Sequence, residues 1–162
     1  MNDEPWVQSF LQKAAQRLVA KGYAPFDRTK YEAAGFKYAA RRTRLVSMGL
    51  GKADDVFVFA EINDLDMTKL KAFSRSSFKF ADITFRNAYH QVLCCSIAIT
   101  ENLNPQLVSE IQRKGPPFHM YAVQLPVAFD LTTGQLAYFQ GTRPWTMFYG
   151  DDMQREIVEV LS

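Results

Sequence analysis

Val7, Phe10, Leu11, Ala14 and Leu18 recur at three- and four-residue steps, which puts them on one face of a helix. Asp3, Glu4 and Pro5 suit its start, where negative charge and a missing N–H are tolerated. Gly22 suits the position just past its end. The pattern lapses from Tyr23 to Glu32 around Pro25, and that stretch reads as a loop or short irregular strand. Phe36 to Val46 reads as extended. After the break at Gly49-Leu50-Gly51-Lys52, Asp55 to Ile62 is apolar at both parities, as in a strand covered on both faces. The two extended runs predict an antiparallel, hairpin-like pair.

A second helix is expected from Asp64 or Asp66, either of which can cap it, to near Phe85. Leu70, Phe73, Ser74, Ser77, Phe78 and Ala81 form its packed stripe. Gln91 to Thr100 is the clearest buried strand. Asn104 and Pro105 then supply a cap and a first helical residue, and Gly115-Pro116-Pro117 stops that short helix. His119 to Asp130 is the next strand; Pro126 requires one of its sides to be unpaired there, or a bulge. Leu131-Thr132-Thr133-Gly134 turns into a hairpin partner over Gln135 to Gln140. A last helix is expected from Asp151 or Asp152 to Leu161.

The order α-β-β-α-β-α-β-β-α predicts a single mixed α/β domain over residues 1–162. Its centre is one mixed sheet of about five strands with helices packed against it. The two β-α-β steps predict right-handed parallel crossovers. The segments around Val58, Leu93 and Val123 are expected side by side, with their exits on one rim.

Composition fits that domain: 48% of residues are apolar, 22% charged and 14% aromatic. A net charge of +2 is too weak to argue for nucleic acid by itself. Cys94 and Cys95 are adjacent, so on a strand they point to opposite faces and make a poor disulfide; two buried thiols in a reducing compartment are expected. The acidic N-terminus lacks a signal-peptide core, and no apolar run is long enough to span a bilayer. A cytoplasmic protein with no membrane partner is the expectation.

Motif chemistry is sparse. Gly-rich phosphate loops, GxSxG, HExxH and paired CxxC motifs are all missing from the sequence, and no cofactor, catalytic residue or resident metal is assigned. Ligands of open α/β sheets gather beyond the carboxyl ends of the strands. There Asp64, Asp66, Glu101 and Asp130 offer oxygen ligands to a hard cation, or they simply cap helices. His90 and His119 open successive strands, either as an acid–base or metal pair or as ordinary exposed residues. Lys37, Arg41, Arg42 and Arg44 form a basic strand segment, either a phosphate-contact face or a charged edge that discourages aggregation. Asp54 or Asp55 followed by Glu61-Ile62-Asn63 falls short of a nuclease Glu-x-Lys pattern, because the lysine is missing. Trp145, Phe148 and Tyr149 cluster in a connection that covers the core or forms an interface.

The last third resembles an uncharacterised family of small prokaryotic proteins. The likeness rests on Pro126-Val127-Ala128-Phe129-Asp130-Leu131, the turn Thr132-Thr133-Gly134, and Pro144-Trp145 followed by Phe148-Tyr149; Phe73 to Ala81 shares it. It implies no activity and carries no catalytic residue across. The expectation is a non-enzymatic binding or self-assembling module, forming a homodimer or binding a protein partner. The alternative is a nucleic-acid-associated or metal-assisted, nuclease-like domain, possibly degenerate.

Overall fold

The computed structural model describes residues 5–45, 51–81, 89–115, 118–119, 122–141 and 146–162, with backbone alone at 118–119 and 146–151. Four long strands carry it: β2 (Tyr38–Leu45), β3 (Lys52–Glu61), β4 (His90–Thr100) and β6 (Ala122–Asp130). β1 (Ala24–Pro25), β5 (Phe118–His119) and β7 (Leu136–Ala137) are two-residue additions. The sheet therefore has seven strands rather than five, in the order β1-β2-β3-β4-β6-β5, with β7 also on the outer side of β6. The hairpin-like pair is present, since β2 runs antiparallel to β3. β3, β4 and β6 are parallel neighbours, with Asp55 beside Leu93 and Leu93 beside Val123.

Two layers of helices enclose the sheet. α1 (Pro5–Ala20) and α5 (Thr146–Leu161) cover one face. There Leu18, Ile157 and Val160 pack on Phe57, Phe59, Ile97, Ile99 and Val127. α2 (Arg28–Ala33), α3 (Met67–Phe80) and α4 (Pro105–Arg113) cover the other. There Tyr31, Leu70, Phe73 and Ile111 meet Val56, Val58, Cys94 and Ala98. Strand parity assigns the faces, because successive side chains alternate. Cys94 and Cys95 accordingly lie on opposite faces, both buried and unbridged. Burial pushes the Cys94 thiol up to about 12 and holds that of Cys95 well above its ordinary value, so both stay protonated and poorly nucleophilic.

Local chemistry explains the boundaries. Past α1, Gly22 adopts φ +86°, and the amides of Gly22 and Tyr23 return to the carbonyls of Val19 and Leu18. That is a Schellman closure, in which glycine takes the left-handed position without a Cβ clash. Asp66 caps α3 through the Lys69 amide, and Asn104 caps α4 through the Gln106 amide. The stretch after Tyr23, read as a loop or short irregular strand, contains the two-residue β1 and also a six-residue helix, α2, capped by Asp27. α5 begins at Thr146, not near Asp151 or Asp152. Phe148 and Tyr149 thus stand on a helix, while Trp145, and any extension of α3 toward Phe85, lies outside the described residues.

Pro126 sits opposite Ser96 of β4. The Leu131 amide reaches back to Thr100 while the Asp130 amide turns outward to Gln135, so even-numbered residues of β6 face away from β4. The nitrogen of Pro126 therefore faces outward, between the stretch paired with β5 and the stretch paired with β7. Pro126→Ala should cost only about 1 kcal/mol, through the entropy of the unfolded chain. Ile97→Ala, which empties the centre of β4, should cost about 2–5 kcal/mol. Urea unfolding checks both; equal costs would contradict this assignment.

Candidate functional site

The carboxyl rim is where ligands were expected. β3, β4 and β6 do deliver their exits to one side of the sheet, but two of the four acidic residues there, Asp66 and Asp130, serve the backbone. Asp66 caps α3. Asp64 is exposed and adopts φ +49°. Glu101 is exposed, with its carbonyl accepting from the Thr132 hydroxyl. Asp130 is buried, and its two oxygens accept amide protons from Leu103 (2.9 Å), Thr132 (2.8 Å) and Thr133 (3.1 Å). It staples the turn after β6 to the loop before α4. Among the described residues no three histidine, cysteine, aspartate or glutamate side chains are grouped to hold a metal ion.

Polar chemistry gathers instead at the opposite end of the sheet. Asp55 is 0% exposed, on the face covered by α1 and α5. Burying a carboxylate requires matched cations and hydrogen bonds. Register supplies the first cation, since Arg42 lies directly across from Asp55. Its Nη2 donates to Asp55 Oδ2 at 2.9 Å, and Arg44 Nε donates to the same oxygen at 2.6 Å. Arg42 also holds Glu156 of α5 through Nη1 (2.9 Å) and Nη2 (3.0 Å), gives Nη1 to the Lys21 carbonyl, and lies 4.4 Å from the centre of the Tyr23 ring. The network ties α1, β2, β3 and α5 together. Burial, then the charges of Asp55 and Glu156, drives the Tyr23 phenol above its ordinary value and keeps it neutral. Among the described residues, the Tyr23 hydroxyl, Asp55 Oδ1 and Arg42 Nε find no hydrogen-bond partner.

On the other face of the same strands, Asp54 accepts from the Thr43 hydroxyl (2.5 Å) and from His90 Nε2 (2.9 Å). His90 and His119 belong to strands separated by β6, and the His119 side chain lies outside the description. The basic segment is thus not a uniform solvated face. Arg42 and Arg44 lean on Asp55, Lys37 stands 3.7 Å from Glu61, and Arg41 lies over Phe26.

The outer edge of β2 completes this corner. The Phe26 amide donates to the Ala39 carbonyl, and Ala24 pairs with Arg41, so odd-numbered residues of β2 turn their backbone groups away from β3. β1 reaches no further than Arg41, because the Gly22 turn leads the chain back into α1. Among the described residues, no strand pairs with the outward groups of Thr43 and Leu45. Leu45 is 73% exposed. It lies across from Lys52, whose amide binds the Tyr89 carbonyl, and Tyr89 is 71% exposed. Gly51 permits this approach: a Cβ there would meet the Tyr89 carbonyl oxygen at 2.6 Å. Sequence reading missed the corner because the point at which β1 stops pairing with β2 has no signature in the sequence.

No known family model, curated protein or solved structure matches this chain.

The Asp130 staple has a pH signature. Burial pushes its carboxyl up, but the amides of Leu103, Thr133 and Thr132 outweigh that and hold it below the ordinary aspartate range. Its contribution is complete above the unfolded value of about 3.9 and is lost as pH falls through its own lower value. Urea midpoints measured downward from pH 5 should fall less steeply in Asp130→Asn than in the wild type. Parallel slopes would refute this role.

Proposed function

We propose that this chain is a non-enzymatic binding module that engages another protein at the corner built from β2, the start of β3 and the start of β4. One observation carries the reading: Leu45 is exposed where, among the described residues, the edge of β2 runs out of partners, and Tyr89 is exposed at the same end of the sheet, on the far side of Lys52. Exposed apolar side chains next to an uncovered strand edge mark an interaction site, or an aggregation liability that proteins normally suppress. The hydrolase-like alternative draws less support. Asp64, Asp66, Glu101 and Asp130 are occupied by capping, exposed apart from one another, or tied to backbone amides, and Asp55 lies beneath two arginines. Self-association through Trp145, Phe148 and Tyr149 is a separate form of the binding reading, resting on their clustering in the sequence.

A photo-reactive benzophenone residue placed at Leu45 should crosslink a protein partner, or a second copy, in lysate of the native cell. The same probe at Val158, an exposed apolar position on α5, serves as the comparison. Crosslinking concentrated at Leu45 is expected. Equal yields at both positions, or none at either, would contradict the proposal.

A further inference from the structure

We infer that the occupant of this corner is an extended, acidic segment of a partner protein that adds to the sheet as a strand beside β2. The inference rests on the binding-module reading and names its partner class. Two observations on the same edge lead to it.

The first is the backbone. Thr43 and Leu45 direct N–H and C=O groups outward in strand geometry, beyond the last residue paired with β1. Such a row accepts another strand by main-chain hydrogen bonding, with alternate side chains of the incoming segment lying over the two faces. A nucleic acid has no backbone that satisfies this row of donors and acceptors.

The second is the sorting of charge by depth. By count, the corner is nearly balanced: Arg41, Arg42, Arg44 and Lys52 against Asp54, Asp55 and Glu156. Accessibility is unequal. The side chains of Arg42 and Arg44 remain 23% and 28% exposed, against 0% for Asp55 and 12% for Glu156. Arg41 and Lys52 are exposed. The anions lie inward and the cations face an approaching chain. An acidic segment therefore meets attraction on arrival. A second copy meets the reverse: antiparallel pairing of two β2 edges about Thr43 sets Arg42 of each against Arg44 of the other, and like charges directly opposite are unfavourable.

The test uses the full chain and a labelled eight-residue peptide alternating glutamate and valine, followed by fluorescence anisotropy. A lysine–valine peptide and a single-stranded oligonucleotide serve as comparisons. The acidic peptide should bind, and binding should weaken as salt is raised. Thr43→Pro removes an amide that faces the open edge, so it should lower affinity at least tenfold while leaving the fold intact by circular dichroism. Thr43→Val, which keeps the amide and loses only the hydroxyl, should bind like the wild type. Should Thr43→Pro fail to fold, the double charge reversal Arg41→Glu with Lys52→Glu, both at exposed positions, should give the same tenfold loss.

Four results would overturn the inference: no binding of the acidic peptide, equal binding of the lysine peptide, oligonucleotide binding that survives Thr43→Pro, or a dimer in sedimentation that Thr43→Pro abolishes. If the acidic peptide fails while the Leu45 crosslink persists, the partner class is wrong and the binding module stands. If both fail, the module falls too.

Discussion

A carboxylate with no exposed surface has to find its counter-charges within hydrogen-bond reach, and at Asp55 that demand organises one whole end of the molecule. It draws Arg42 and Arg44 of β2 onto the α1/α5 face. Arg42 in turn holds Glu156, fixing α5 across the sheet, and reaches the Lys21 carbonyl at the end of α1. Arg17 bonds to the Val160 and Ser162 carbonyls, and Lys21 pairs with Glu159, so α1 and α5 are also tied to each other. Breaking a buried ion pair by removing one partner generally costs about 3–5 kcal/mol. The network therefore specifies how these elements dock, beyond what non-directional apolar burial alone would fix. It also leaves Arg42 and Arg44 more exposed than the Asp55 and Glu156 carboxylates they hold.

Polarity is divided between the two ends of the sheet. At the carboxyl ends of the parallel strands, short polar side chains are consumed by capping and turn formation: Asp66 on α3, Asn104 on α4, Asp130 on three amides. Helix N-termini carry amides without intrahelical partners, and aspartate and asparagine meet that need at the positions where a ligand would otherwise be held. At the amino ends, among the described residues, no helix starts compete for these groups. Asp54, Asp55 and His90 there bind side chains from neighbouring strands, and the β2 edge past Arg41, unpaired among the described residues, lies next to them.

What was legible in the sequence was local. The long apolar runs of β3, β4 and β6 stand out because a strand covered on both faces needs no polar parity, and their parallel alignment follows from the crossovers. The caps at Asp66 and Asn104 are readable for the same reason: their partners lie two or three residues away. α2 escaped because six residues give almost no periodicity. β7 was legible as the hairpin partner after Gly134, though over a longer stretch than it pairs; β1 stayed open between loop and short strand, and β5 was not separated from the strand expected from His119, because two-residue strands exist only through their neighbours. The Asp55 network depends on the β2–β3 register, which sets Arg42 opposite Asp55, and on Glu156, which lies 114 residues from Arg42 along the chain. Neither relation has a signature in a single sequence. The strand-end rule led toward Asp64, Asp66, Glu101 and Asp130, since the residue types that bind cations are also those that cap helices.

Amide hydrogen exchange along β2, followed residue by residue by NMR, tests the central claim most directly. An edge that is open beyond Arg41 predicts alternation: fast exchange at Thr43 and Leu45, whose amides face away from β3, and slow exchange at Arg42 and Arg44, whose amides face β3. Uniform protection across residues 42–45 would mean that another part of the chain already covers this edge, and the proposed binding corner would not exist.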